Sequence, residues 1–377
     1  MLSHEKKLSL QKKFRKYKIM DDIRKAQEDA INLLKYLIDI PSYSKEEKSV
    51  ADYLQTYIKS MGYSTNRVVN NVWITGDDID PVKPTLLLNS HLDTVRPTVG
   101  WTHEPHRATL EGERLYGLGS NDAGASLVSL LHAFFLLSKK KQSYNLIFAA
   151  SSEEEVSGKN GMELLLTELP HLDFAIVGEP TGMQMAIAEK GLMVVDCVAR
   201  GKSGHAARNE GVNAIYKAIK DIEWIQNTQL PKVSPSLGPV KMTVTMVHAG
   251  TQHNVIPDEC SFVIDVRSNE CYSNQEIFSI LDVNLESEVK ARSYRLTSSG
   301  IPMETPIVRR GLELGMSTFG SPTLSDQAFL HFPSLKIGPG DSARSHTADE
   351  YIDLHEIREA ITSYVELLDG MTFEKFA

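Results

Sequence analysis

The stretch "YNLIFAASSEEE", residues 144–155, is apolar from Leu146 to Ala150 and ends in the adjacent carboxylates Glu153, Glu154 and Glu155. A short, continuous apolar run of this kind reads as a buried strand. Like charges at adjacent positions raise one another's pKa and resist desolvation. A core strand that finishes this way requires a cation, a water-filled rim, or both.

On either side of this strand the signals alternate. "PTLLLNSHLDTV" (84–95) reads as a strand, "DAGASLVSLLHAFFLLSKKK" (122–141) as a helix, and "LDFAIVGEPTG" (172–182) as a short strand after a helix near "GMELLLTEL" (161–169). Before them, "DDIRKAQEDAINLLKYLIDIPS" places Ile23, Ala26, Ala30, Leu33, Leu34 and Leu37 at helical spacing. Ser44 and Glu47 form a capping-box pattern for a further helix that Gly62 closes. Continuous apolar strands alternating with helices indicate an α/β domain whose sheet is covered on both faces.

From Leu192 the rhythm changes. Strand "LMVVDCVARG", helix "NAIYKAIKDIEWIQ", strands "KMTVTMVHAG" and "CSFVIDVRS", helix "NQEIFSILDVNLESE" and strand "KARSYRLTSS" follow one another. That order, β-α-β-β-α-β, is the ferredoxin-like unit. The α/β rhythm then resumes with a helical stretch at "VRRGLELGMSTF", strand "SLKIGPG" and helix "LHEIREAITSYVELLDGM". The expected organisation is a discontinuous α/β domain over 21–188 and 300–377, interrupted by a second domain over 189–299. Residues 1–20 form a basic extension with seven Lys or Arg in its first nineteen positions, expected to be disordered or foreign to the working chain, which would begin near Met20.

The chain has 377 residues, 41% of them hydrophobic, and a formal charge of −9, so the overall balance favours neither nucleic acid nor an anionic membrane as partner. A small-molecule partner fits better. Cys197, Cys260 and Cys271 form neither a CxxC pair nor an even framework, which points to free thiols in a reducing, cytoplasmic setting and away from a zinc-thiolate site. No apolar stretch reaches the ~20 residues of a membrane span.

The polar residues at the strand ends belong together. His91 and Asp93 follow one strand, Asp122 sits where a loop enters a helix, Glu153–Glu155 end another strand, Glu179 lies in "IVGEPTG", and His346 in "ARSHTADE". Open α/β sheets bind ligands outside the carboxyl ends of their strands. Two histidines and several carboxylates without cysteine suit a borderline divalent metal, above all Zn²⁺. The donors exceed what one catalytic zinc uses, so two metals sharing a carboxylate fit better. Taken singly each residue has a plainer reading: a hydrogen-bonded histidine, a helix cap at Asp122, or a turn at Glu179 before Pro180.

The ordered motifs "HLDTV", "GLGSND", "SSEEE", "GEPT", "GKSGHAA", "NVIPDE" and "GPGDSARSHTADE" resemble the di-zinc deacylase and exopeptidase family of acetylornithine deacetylase, succinyl-diaminopimelate desuccinylase, aminoacylase and glutamate carboxypeptidase, over roughly residues 21–372. The resemblance implies a metal-binding α/β catalytic domain with an inserted ferredoxin-like dimerisation or lid domain. It implies two divalent ions per subunit, Zn²⁺ with Co²⁺ or Mn²⁺ as alternatives: His91, Asp122 and Glu179 would hold one, and Asp122, Glu155 and His346 the other. Asp93 would orient His91 through its second N–H, Glu154 would be the general base, and Glu153, on the opposite side of the strand, would turn to solvent.

The same resemblance implies a homodimer in which His205 reaches the partner subunit's site and stabilises the oxyanion. Asn254 and Arg267 would bind substrate, and Gly338 and Gly340 would add backbone donors. The implied reaction is hydrolysis of an N-acyl amino acid, with a dipeptidase or carboxypeptidase, or a non-catalytic binding homologue, as alternatives. Ser203 in "GKSGHAA" lacks the setting of a nucleophile elbow. The chain departs from the family at Ala123–Gly124–Ala125 and at Arg96, which bears on the substrate pocket rather than on the metals.

Overall fold

A computed structural model describes residues 4–76, 79–208 and 210–373, with side chains from Met20 onward. The chain folds as two compact units. One comprises the chain to Ala186, Ile301–Thr318 and the stretch from Phe332; the other comprises Ile187–Gly300 with Phe319–His331. The return of 319–331 to the second unit has no counterpart in the sequence pattern.

In the first unit the sheet runs in the order Asn66–Val68, Asn71–Thr75, Asn145–Ser151, Thr85–His91, Phe174–Val177 and Ser334–Lys336, with Ala186 pairing Lys336 at its far edge. The strands Asn145–Ser151, Thr85–His91, Phe174–Val177 and Ser334–Lys336 are parallel neighbours, and the flanking pairings are antiparallel. Every residue of Thr85–His91 and Asn145–Ser151 is buried, as their unbroken apolar runs require. The helix Ala125–Leu137, buried along its whole length, packs against Leu354–Leu368 and against the first helix, His4–Ile38. The backbone of residues 4–20, expected to be a disordered extension, is continuous with that first helix.

Register places the site. His91 lies opposite Ser151, and Asn89 opposite Val177. The chains leaving these strands therefore carry Asp93, Glu153–Glu155 and Glu179 to the same end of the sheet.

The second helix corrects the capping-box reading. It spans Lys48–Ser60 without a side-chain cap. The Ser44 hydroxyl instead donates to Asp93 Oδ2 at 2.7 Å, and the buried Glu47 carboxylate accepts from Lys45 N, Asn70 Nδ2 and Glu153 N. Gly62, at φ +91°, does follow the helix end.

The second unit has strands Met193–Arg200, Lys241–Ala249, Glu259–Arg267 and Glu288–Ala291 with helices Ala214–Asn227 and Asn274–Asn284. Its antiparallel sheet places Glu259–Arg267 and Met193–Arg200 in the middle, with Lys241–Ala249 and Glu288–Ala291 outside, which is the ferredoxin-like arrangement. Alternate residues Val195, Cys197, Phe262 and Ile264 face a core that includes Ala218, Ile277 and Leu281. All three cysteines are free. The strand expected over 290–299 is divided between Glu288–Ala291 and the separate Ser299–Gly300. Among the described residues no helix is long and apolar enough to cross a membrane.

Candidate metal centre

His91 ends its strand with the ring 1% exposed. Its Nδ1 donates to the Asp93 carbonyl oxygen at 2.9 Å, leaving Nε2 to face Asp122 Oδ1 at 3.3 Å, Glu179 Oε1 at 3.9 Å and Glu154 Oε2 at 4.0 Å. On the other side of Asp122, His346 Nε2 lies 3.6 Å from Oδ2 and 2.9 Å from Glu155 Oε2. The two oxygens of one carboxylate thus face two histidines, each accompanied by a further carboxylate. In both sets, His91–Asp122–Glu179 and Asp122–Glu155–His346, one ligand atom from each residue lies within 4.8 Å of the others.

The electrostatics suit a cation. Burial, reinforced by the charges of Asp122 and Glu155, pushes the Glu179 carboxyl well above the usual carboxylate range. Burial would depress the His91 imidazole, but hydrogen bonds to Asp122 and Asp93 and the nearby glutamates drive it well above 6.5. His346 is raised to about 9, first by its hydrogen bond to Glu155. In the protein alone, the imidazoles are drawn toward protonation by the surrounding carboxylates. The geometry and the oxygen and imidazole donors fit two divalent ions.

Asp93 takes the second N–H of His91 at its backbone carbonyl. Its carboxylate is 3.6 Å from His91 Nδ1 but accepts Glu154 N–H at 3.0 Å and Glu155 N–H at 3.2 Å, so it seats the backbone of both glutamates. Glu153 corrects the expectation of a solvent-facing residue. The strand ends at Ser151, Glu153 adopts φ 55°, and its 5% exposed side chain bonds Asn160. A Cβ at Gly158 would stand 1.9 Å from Glu153 Oε2, which explains the glycine there.

The sequence pattern does not single out Glu350, and it presents Glu47 only as part of a helix cap. Glu350 accepts the N–H groups of Gly119, Asn121 and Asp122, and burial beside Asp122 pushes its carboxyl up to about 8. The backbone partners of Glu350 lie 228–231 positions away and the partner of Glu47 at Glu153 lies 106 away, and no local pattern signals such pairings.

The remaining expected residues are engaged locally. Gly338 does not offer a free donor, because its N–H goes to Thr181 Oγ1 at 3.1 Å. A Cβ there would meet Ser126 Oγ at 2.3 Å and Glu179 O at 2.5 Å, so this glycine allows close packing against Glu179. Gly340 takes φ +88° against Asn121. In the second unit, the Arg267 fork closes on Asp265 at 2.8 and 3.1 Å. His205 is exposed, with Nδ1 accepting from Ala207 N–H, and the exposed Asn254 accepts Ala206 N–H at its carbonyl.

Residues 87–370 match the profile of peptidase family M20/M25/M40. The chain is 29% identical over 296 residues to the acetylornithine deacetylase of Pectobacterium carotovorum, covering 73% of this chain and 77% of that protein. It is 25% identical over 355 residues to the LysW-lysine/LysW-ornithine hydrolase of Sulfurisphaera tokodaii, covering 91% and 96%. The fold is shared with a dinuclear metal-binding M20 peptidase from Bacillus subtilis at a TM-score of 0.72 and 16% identity, over 92% of this chain and 98% of that one. The chain belongs to peptidase family M20/M25/M40. It is a metallohydrolase of the amidohydrolase and peptidase type.

Proposed function

We propose that the chain hydrolyses the amide bond of an N-acyl amino acid, in the manner of acetylornithine deacetylase, on an N-acetyl or N-succinyl substrate of the ornithine, citrulline or lysine type. The observation that carries this reading is Asp122, whose oxygens face His91 and His346 at 3.3 and 3.6 Å. His91, Asp122 and Glu179 would hold one divalent ion, and Asp122, Glu155 and His346 the other, zinc first and cobalt or manganese as alternatives. When bound, the ions lower the pKa of a water molecule and polarise the acyl carbonyl.

Glu154 is then the general base. Its carboxylate, at the same end of the sheet as His91, takes a proton from the attacking water and returns it to the departing amine. Asp93 holds that base by its backbone N–H. Asn254, Arg267 and Gly340 are proposed as substrate contacts, with the Arg267 fork matching an α-carboxylate. His205 is proposed to stabilise the oxyanion in the partner subunit of a homodimer. The edge position of Lys241–Ala249 and the exposure of Met246, Val247, Tyr216 and Ile219 support pairing through this unit.

Metal analysis with a panel of N-acetyl amino acids, N-succinyl amino acids and dipeptides tests the reading. Two ions per chain and turnover of an acylated amino acid are expected. Turnover confined to dipeptides would move the chain to the peptidases. Tight binding without turnover in metal-replete protein would make it a binding homologue.

A further inference from the structure

Asp122 and His346 sit in the segments that flank an antiparallel strand pair, Arg114–Tyr116 and Tyr351–Asp353, whose register sets Tyr116 opposite Tyr351 but reaches neither ligand. Glu350 joins those segments. It is 2% exposed; its Oε2 accepts the Gly119 N–H at 3.0 Å, and its Oε1 accepts those of Asn121 at 2.9 Å and Asp122 at 2.8 Å. Its own carbonyl accepts the Gly117 N–H at 3.0 Å. We infer that Glu350 is a positioning residue for both metal sites: seated among the backbone N–H groups of 119–122, its carboxylate fixes the shared ligand Asp122 against the loop that carries His346.

The local backbone explains why a carboxylate fits. Gly119 adopts φ 74°, ψ 8°, a left-handed turn that lets neighbouring N–H groups converge into a concave anion site. A Cβ there would stand 2.6 Å from Thr94 Cγ2, so both conformation and space favour glycine. Asp122 is then held at both ends, its N–H by Glu350 and its carboxylate oxygens before the two histidines.

A second tie completes the join. Asn121 Nδ2 donates to the Asp341 carbonyl at 3.1 Å, and Asp341 N–H donates back to Asn121 Oδ1 at 3.0 Å. His346, at φ 58°, lies between these anchors at 341 and 350. The loop bearing one histidine is thereby fastened on both sides to the segment bearing the bridging ligand. Displacing Asp122 would disturb both donor sets, because both include it.

A glutamine at 350 keeps the shape but offers one oxygen. In either flip its NH₂ group faces an N–H that it cannot accept, from Gly119 or from Asn121 and Asp122. Alanine removes every acceptor. Partners that hold ligands in place typically account for ~10–100-fold in metal affinity. A residue that merely fills space would lower folding stability and leave the affinity of the folded protein alone.

The inference rests on the two-metal reading, and the experiment separates the two. Calorimetric titration of metal-free protein with Co²⁺ should show ~10–100-fold weaker binding in Glu350→Gln at parental far-ultraviolet dichroism, and weaker binding still in Glu350→Ala. In parallel, amide exchange in metal-free parent should be slow at Gly119, Asn121 and Asp122, and faster in Glu350→Gln. A folded Glu350→Gln protein with parental Co²⁺ affinity overturns the inference. If neither variant folds, the parent decides: protected amides at these positions support the anchor, and exchange at the rate of exposed loop amides overturns it. Failure of the parent itself to bind Co²⁺ would sink the two-metal reading and the inference with it, whereas fast amides in a Co²⁺-binding parent would sink the inference alone.

Discussion

The two units hold the polar groups around their candidate site residues in different ways. In the α/β unit, Glu47, Asp93 and Glu350 are each 2% exposed or less, and each carboxylate accepts backbone N–H groups from a segment that carries chemistry. In the inserted unit, Arg267 is paired with a neighbour two residues away, and His205 and Asn254 are exposed. Buried acceptors fix geometry because an unmatched amide or carboxylate in the interior costs about 1–3 kcal/mol or more. Exposed pairs are worth little and exchange partners readily. The candidate site of the first unit is fixed by buried acceptors, while Arg267, His205 and Asn254 of the second can still change partners. This difference can be tested by experiments of decreasing expected effect.

The largest effect belongs to the base. Glu154→Gln should retain metal and lose ~10² to 10⁴-fold in kcat, because an amide cannot take a proton from water. Glu153→Gln should keep kcat within a small factor and lose stability instead, since Glu153 is buried against Asn160. Turnover measured beside metal content decides between them. A Glu154→Gln protein with near-parental kcat, with Glu153→Gln inactive, would move the base by one residue.

Acid should act through the buried α/β unit. His132 is 1% exposed; its Nδ1 donates to Val128 O at 2.8 Å and its Nε2 accepts from the Tyr57 hydroxyl at 2.9 Å. Burial lowers its pKa from 6.5 to about 4. The unfolded chain therefore binds the extra proton first. The stability contributed by neutral His132 is complete above pH 6.5 and is lost as pH falls toward 4, a difference of about 3 kcal/mol. Denaturant melts at pH 7 and pH 4.5 should show His132→Gln with a flatter acid dependence than the parent. An unchanged slope would place the acid sensitivity elsewhere.

What the sequence disclosed follows the same division. His91, Glu155 and Glu179 were legible because a strand or its immediate exit delivers each of them, and the apolar run before each marks the strand. Glu153 was misread because strand alternation was extended past Ser151, where φ 55° breaks it. Ser44 and Glu47 satisfy the spacing of a capping box, yet tertiary partners at Asp93 and Glu153 claim both side chains. Glu350 was out of reach. Its contribution depends on backbone donors, which every non-proline residue possesses, and on a left-handed Gly119 that brings them together.

The shared-site proposal for His205 predicts rescue. Glu154→Gln and His205→Ala chains, each inactive alone, should regain activity when refolded together, because a hybrid dimer has one site with both groups intact. Random exchange makes about half the dimers hybrid, each with one competent site of two, so about a quarter of parental activity should return. Demonstrated hybrids that stay inactive would confine His205 to its own subunit or to no catalytic role.

The smallest effect probes the pair that most clearly separates the inserted unit from its neighbour. Arg267 donates two hydrogen bonds to Asp265, and both side chains are about 30% exposed. Such a pair contributes ~0.2–1 kcal/mol to stability, so Asp265→Asn should scarcely change the melting temperature. If the Arg267 fork receives the substrate carboxylate, it must first give up Asp265, and removing that competitor should lower KM by about two- to threefold with kcat unchanged. Arg267→Ala should raise KM instead. Steady-state kinetics on one acylated amino acid, with its carboxamide analogue as control, resolve the effect, because only the free acid should gain from the freed guanidinium. Equal KM values for the parent and Asp265→Asn would mean that the fork stays with its own strand and that carboxylate recognition belongs to another group.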